Sequence, residues 1–211
     1  MGKAKTYEGK DIAISFDMAR CIHARNCFLK LPEVFDPARL PWVAPDAASA
    51  EEIAAMIRTC PSGALSYERR DGQPGEAAPR INRVAVLENG PLALAGEVQI
   101  GDDTVTRATL CRCGMSKTKP YCDYSHVDGG FQATGEPLSV EGEVPDLSGP
   151  VAVAARENGP LVLTGPVEVI TGTGRRVKQT EKAVLCRCGQ SAKKPFCDGS
   201  HKDAGFVADP L

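Results

Sequence analysis

Between Ser49 and Pro61 the apolar residues Ile53, Met56, Ile57 and Cys60 fall at i, i+3, i+4 and i+7, the spacing of one helix face. Ser49 and Glu52 stand ahead of them at capping-box separation. The pattern therefore predicts a helix that starts at Ser49, buries Cys60 in its last turn and stops at Pro61. Upstream, "DIAISF" (11–16) predicts a strand. Beyond residue 80 the rhythm changes to short apolar runs punctuated by glycines and by "ENGP", a hairpin-turn signal, so that region is expected to be rich in strands. It is also written twice. "VAVLENGPLALAGEVQI" (84–100) returns, with one residue slipped, as "VAVAARENGPLVLTGPVEVI" from Val151. Each copy runs on into a cysteine-rich segment, through "TLCRCG" at Thr109 and "VLCRCG" at Val184, and finishes in "SHVDGGF" or "SHKDAGF". The "ENGPL" blocks are offset by 69 residues and the first cysteines by 75, so the second copy holds six extra residues, expected around "TGTGRRVKQT".

These patterns predict an α+β chain in four parts: a small domain over residues 1–70, a polar Gly/Pro linker over 71–80 within "RRDGQPGEAAPR", one repeat over 81–135 and a second over 136–211. A unit present only twice is too sparse for a solenoid. It suggests an internal pseudo-twofold, one chain doing the work of a homodimer, and hence a monomer. Net charge over the 211 residues is −2 and aromatics are scarce, which argues against nucleic acid or an anionic membrane as partner. Apolar runs such as "VAVAA" and "PLVLTG" are too short to span a bilayer, and the start lacks the apolar core of a signal peptide. Gly2 and Thr6 fit the loose myristoylation pattern, a match short enough to arise by chance. The expectation is a soluble, unanchored, cytoplasmic protein. With no Gly-rich nucleotide loop and no nucleophile–base signature, it is not expected to be an enzyme.

The nine cysteines add the chemistry. An odd number, six of them clustered with histidine, speaks for metal ligation over a disulfide framework. Each repeat reads C-x-C-x8-C-x3-H: Cys111, Cys113, Cys122 and His126, then Cys186, Cys188, Cys197 and His201. Four soft ligands duplicated at one spacing point to metal. Spacing alone leaves both zinc, which Cys3His suits, and iron–sulfur open.

"KKPFCDGSHKDAGF" resembles the signature of the CDGSH iron–sulfur proteins, the mitoNEET family, and the likeness spans residues 80–210 through both copies. It implies a [2Fe–2S] cluster per repeat, with Cys111 and Cys113 on one iron and Cys122 and His126 on the other, and likewise Cys186 and Cys188, then Cys197 and His201. It also implies that the repeats pair as an intramolecular pseudo-dimer under a β-cap. Tyr124 departs from the motif, which has glycine there; if the glycine supplies positive φ, the tyrosine is strained or the turn differs. Neutral imidazole in place of one thiolate leaves such a cluster less negative and raises its potential, and a proton can compete with iron for the ring nitrogen.

The leading segment, with "CIHARNC" (Cys21, His23, Cys27), "PEVFD" (32–36) and "CPSGAL" from Cys60, is similar over residues 10–68 to single-cluster bacterial ferredoxins. That likeness implies a third cluster, [3Fe–4S] or [4Fe–4S], on Cys21, Cys27 and Cys60, with His23 the nearest substitute for a missing fourth ligand. The alternative is three buried, reduced cysteines. Trp42 is expected against this domain's core. Arg20, Arg25 and Lys30, and the cluster-flanking Lys117, Lys119, Lys193 and Lys194, are expected to be solvated. The function this predicts is electron transfer to an unidentified redox partner. The alternatives are cluster storage and transfer to an apo-acceptor protein, and a zinc-stabilised interaction module.

Overall fold

The computed structural model describes residues 4–144 and 146–211, which leaves Gly2 and its acylation pattern outside the described residues. The chain divides after Ala77 into two units. The first runs β1 (Lys5–Tyr7), β2 (Ile12–Phe16), α1 (Asn26–Lys30), α2 (Ala50–Arg58) and β3 (Leu65–Arg69). Its strands form an antiparallel sheet in the order β1-β2-β3, with "DIAISF" in the middle. The capping box of α2 closes both ways: Glu52 N–H donates to Ser49 Oγ at 3.3 Å, and Ser49 N–H to the Glu52 carboxylate at 3.1 Å. Ile53, Met56 and Ile57 turn inward against Ile12, Ile14, Val34, Phe35 and Leu65. Trp42 stands edge-on to Phe16 at 4.9 Å and to Tyr7 at 6.4 Å, packed against the core as expected. Cys60 departs from expectation. Helix α2 ends at Arg58, and Cys60 lies two residues past it, half-buried in the connecting loop. Pro61 is the reason, because a proline ring disfavours helical backbone in the residue before it.

The second unit runs β4 (Arg83–Val86), β5 (Leu92–Ile100), β6 (Asp103–Leu110), α3 (Ser125–Asp128), β7 (Val151–Ala155), β8 (Leu161–Thr171) and β9 (Arg176–Leu185). Each "ENGP" makes the expected tight connection, with Asn89 and Asn158 both at φ 48°. The six extra residues are two in β8, two in β9 and two in the turn that joins them.

Strands of the two repeats share one sheet. β4 pairs antiparallel with β5 of its own repeat and parallel with β8 of the other. β7 does the converse, antiparallel with β8 and parallel with β5. β5 and β8 therefore change partner half-way along, and each does so at a register shift, between Ala95 and Val98 and between Thr164 and Val167. A bulge adds a residue and bends the strand, which re-aims its second half toward the other repeat. Buried Asn82 fastens this crossing: its amide donates to Gly149 O at 2.6 Å and Pro166 O at 3.0 Å, and its oxygen accepts from Glu97 N at 2.8 Å.

Alternate residues of the strands, among them Val84, Leu92, Leu94 and Ile100 from one copy and Val153, Leu161, Leu163 and Val169 from the other, merge into a single core. Each such side chain contributes about 1.5–3 kcal/mol on burial, and neither repeat covers its apolar face alone. Among the described residues no helix is long and apolar enough to cross a membrane.

Candidate metal centres

β6 and β9 each deliver the first cysteine at the residue after the strand ends. The loops then fold back onto those ends. Cys111 N–H donates to Pro120 O at 2.8 Å and Cys122 N–H to Thr109 O at 2.9 Å, and Cys186 and Cys197 repeat both bonds to Pro195 O and Val184 O at 2.8 and 2.9 Å. An aspartate staples each loop from within. Asp123 accepts from Lys117 N and Ser125 N at 2.8 and 3.1 Å, and Asp198 from Ala192 N and Ser200 N at the same two distances. Asp198 also accepts from the Ser200 hydroxyl at 2.6 Å, and these bonds hold its carboxyl well below the usual carboxylate range.

The donor atoms arrive in twos. Cys111 and Cys113 sulfurs are 3.5 Å apart, and Cys122 Sγ lies 3.4 Å from His126 Nδ1. In the second copy the same separations are 3.8 Å for Cys186 and Cys188 and 3.5 Å for Cys197 and His201 Nδ1. Among the described residues no three His, Cys, Asp or Glu side chains come together closely enough to hold a single metal ion. A tetrahedral metal with bonds of ~2.3 Å to sulfur has donor atoms about 3.7 Å apart, so each pair matches one edge around one metal. Two such pairs per loop suit a group with two metals. Of Cys111 and Cys113, the first ionises more readily because the second donates to it; the second is held up by that charge and by burial. Burial pushes the Cys122 thiol up to about 11.

In the first unit, Cys21, Cys27 and Cys60 are all half-buried. Asn26 Nδ2 donates to Thr59 O at 2.7 Å and so ties the residue before Cys27 to the residue before Cys60. Burial raises the Cys21 and Cys27 thiols above their ordinary value, and the charge of Cys60 adds to both. His23 sits at φ 52° with its side chain exposed.

Known proteins bear on both regions. The family described as iron-binding zinc finger CDGSH type matches residues 89–127 and again 158–202. The family described as divergent 4Fe-4S mono-cluster matches residues 7–70. A protein of Escherichia coli, "uncharacterized protein YjdI" in strains K12 and O157:H7, is 36% identical over 69 residues, 33% of this chain and 91% of its own length, and aligns with the N-terminal region. The chain carries two CDGSH-type iron-binding segments behind a divergent mono-cluster domain.

The two CDGSH loops meet through their glycines. A Cβ on Gly114 would stand 2.6 Å from Cys188 O, and one on Gly189 would stand 2.4 Å from Cys113 O. Both glycines have positive φ, 83° and 82°. Only a residue without a side chain lets backbone pass backbone this closely.

Sequence reasoning missed the residue between each pair of cysteines. Arg112 and Arg187 are among the most buried large side chains. Arg112 Nε donates to Gly90 O at 2.7 Å, its other nitrogens reach Leu87 O, Ala133 O and Thr134 O, and its guanidinium lies over Phe131. Arg187 donates to Arg156 O at 3.1 Å and Asp209 O at 2.9 Å and lies over Phe206. Each clamps its loop to the "ENGP" turn of its own repeat. Burial draws the Arg112 group down to about 10, opposed by the charge of Cys186 across the repeat boundary, while Arg187 is lowered by burial and opposed by Cys111. Each guanidinium thus interacts electrostatically with the other repeat's first cysteine. Recurrence of "CRC" in both copies was the signal available.

Two expectations about flanking residues are settled here. Lys119 and Lys194 are not simply solvated, because their ammonium groups donate to Ser116 O and Ser191 O and brace the loops. Tyr124 takes φ +75° where Gly199 takes φ +94°, so the first copy keeps the positive φ of the motif glycine and the tyrosine bears the strain, about 1–2 kcal/mol.

Proposed function

We propose that this protein is an electron carrier with two [2Fe–2S] clusters in its repeats and a third cluster in its first unit. The observation that carries the reading is the arrangement of donors in pairs, sulfur with sulfur and sulfur with Nδ1, at single-metal spacing in both loops. Cys111 and Cys113 would hold one iron and Cys122 and His126 the other, with Cys186, Cys188, Cys197 and His201 repeating the set. Such clusters take up and release single electrons. Arg112 and Arg187 place a cation near the other repeat's cysteine and favour the more negative, reduced state. The shared strands support an intramolecular pseudo-dimer in which the sheet serves as the β-cap. In the first unit Cys21, Cys27 and Cys60 would carry the third cluster, [3Fe–4S] or [4Fe–4S]. The partner on this reading is a redox protein, and the chain is a carrier rather than an enzyme. Nine cysteines without a disulfide suit a reducing compartment such as the cytoplasm. Partial exposure of Cys197 and His201 favours a second reading, donation of a cluster to an apo-protein.

Iron and sulfide quantitation with EPR on anaerobically prepared full chain tests this. Seven or eight irons per chain are expected, about four from the repeats and three or four from the first unit. Four would leave the first unit empty, and zinc without visible absorbance would sink the reading.

A further inference from the structure

The two loops share their ligand positions but differ around the histidine. The first copy has Met115, Tyr124 and Val127 where the second has Gln190, Gly199 and Lys202. The Tyr124 ring stands edge-on to the His126 imidazole with centroids 5.2 Å apart. Met115 lies against Gly129 just past α3, so close that a Cβ there would meet its sulfur at 2.2 Å. In the second copy nothing lies within 4 Å of a Cβ position at Gly199. The consequence is unequal burial of matching groups. Cys122 and His126 are 3% and 8% exposed, whereas Cys197 and His201 are only partly covered. Tyr124 also holds a backbone conformation that glycine adopts freely, and strain of this kind persists where the surroundings impose it.

We propose that the two centres are unequal in exchange: the one at Cys186, Cys188, Cys197 and His201 is open to incoming donors, and the one at Cys111, Cys113, Cys122 and His126 is retained, with Tyr124 as the seal. The inference rests on the reading that each repeat holds a two-iron cluster. Exchange is ligand substitution: a donor atom of the incoming molecule bonds to iron as the bond to the protein ligand breaks, the imidazole leaves neutral, and no electron moves. An anionic donor approaching His201 meets a small glycine and the Lys202 cation. One approaching His126 meets an aromatic ring, and valine in place of the lysine. On the cluster-donation reading, the second repeat is the donor and the first is the resident centre.

The test uses fully loaded full-length protein incubated with EDTA and iodoacetamide, with alkylation of each cysteine followed by peptide mass spectrometry. Cys111 and Cys186 are the reporters because both are 1% exposed, so their own accessibility is matched. Cys186 is expected to be modified well before Cys111. Tyr124→Gly should bring Cys111 up to the rate of Cys186, Tyr124→Phe should keep it slow, and Gly199→Tyr should slow Cys186. Equal rates in the wild-type protein, or an unchanged Cys111 rate in fully loaded Tyr124→Gly, would overturn the proposal. Metal without sulfide in the loaded wild-type protein would overturn the two-iron reading itself, and the proposal with it.

Discussion

Replacing Gly189 by alanine probes a close backbone approach between the two repeats. The new Cβ would stand 2.4 Å from Cys113 O and 2.9 Å from its carbonyl carbon, both backbone atoms that have no rotamer to escape into. Gly189 also sits at φ +82°, where alanine costs about 1–2 kcal/mol. Crowding a packed contact adds about 1–3 kcal/mol, for a total of about 2–5 kcal/mol. Gly174 supplies the control. It has φ +96° but nothing within 4 Å of its Cβ position, so Gly174→Ala carries only the backbone cost of about 1–2 kcal/mol. Amide hydrogen exchange in β5 and β8, at matched iron and sulfide loading, reads the opening free energy of this unit alone. Gly189→Ala is expected to lower it by clearly more than Gly174→Ala. Equal losses would refute the reasoning, because the two C-x-C-G segments would then not touch in solution.

Two further outcomes are expected. Asn82→Ala removes three hydrogen bonds at the point where β5 and β8 change partners, and should cost about 1–3 kcal/mol by the same exchange measurement. Asn82→Asp should not restore the loss, since a carboxylate cannot donate to the two carbonyls. In the first unit, hydrogen bonding to Arg69 lowers the Asp71 carboxyl to about 2. A depressed acid stabilises the fold above its unfolded value of about 3.9, and that contribution is lost as pH falls toward 2. An NMR titration of Asp71 should show this low value in the native protein and a return to the usual range in Arg69→Leu.

Much of the site was legible because its determinants are local. The C-x-C-x8-C-x3-H spacing, the duplicated "ENGP" turns and the Ser49–Glu52 box depend on residues within a few positions of one another; the turns and the box take the form their spacing implies, and each loop brings its donors together in pairs. Cys60 was misplaced for an equally local reason, the restraint that Pro61 puts on its predecessor outweighing helical periodicity. The repeat was visible too, and with it the expectation that two halves pair.

How they pair was not visible. Nothing in "AGEV" or "TGPV" says that β5 and β8 leave one partner for another there, since that depends on which strand of the distant copy comes alongside. Arg112 and Arg187 look like ordinary surface charges in a linear reading. They are buried because the fold brings carbonyls of the "ENGP" turn to meet them, and phenylalanine rings beneath them. Tyr124 is the sharpest case. In sequence it is one deviation from a motif. In the folded chain it keeps the glycine turn at positive φ and sets an aromatic ring beside His126. The sequence by itself determined which atoms can bind metal, because ligand chemistry belongs to side chains and their spacing. Only the tertiary structure decided how far each set is shielded from solvent, because burial is a property of neighbours that the chain brings together from far apart.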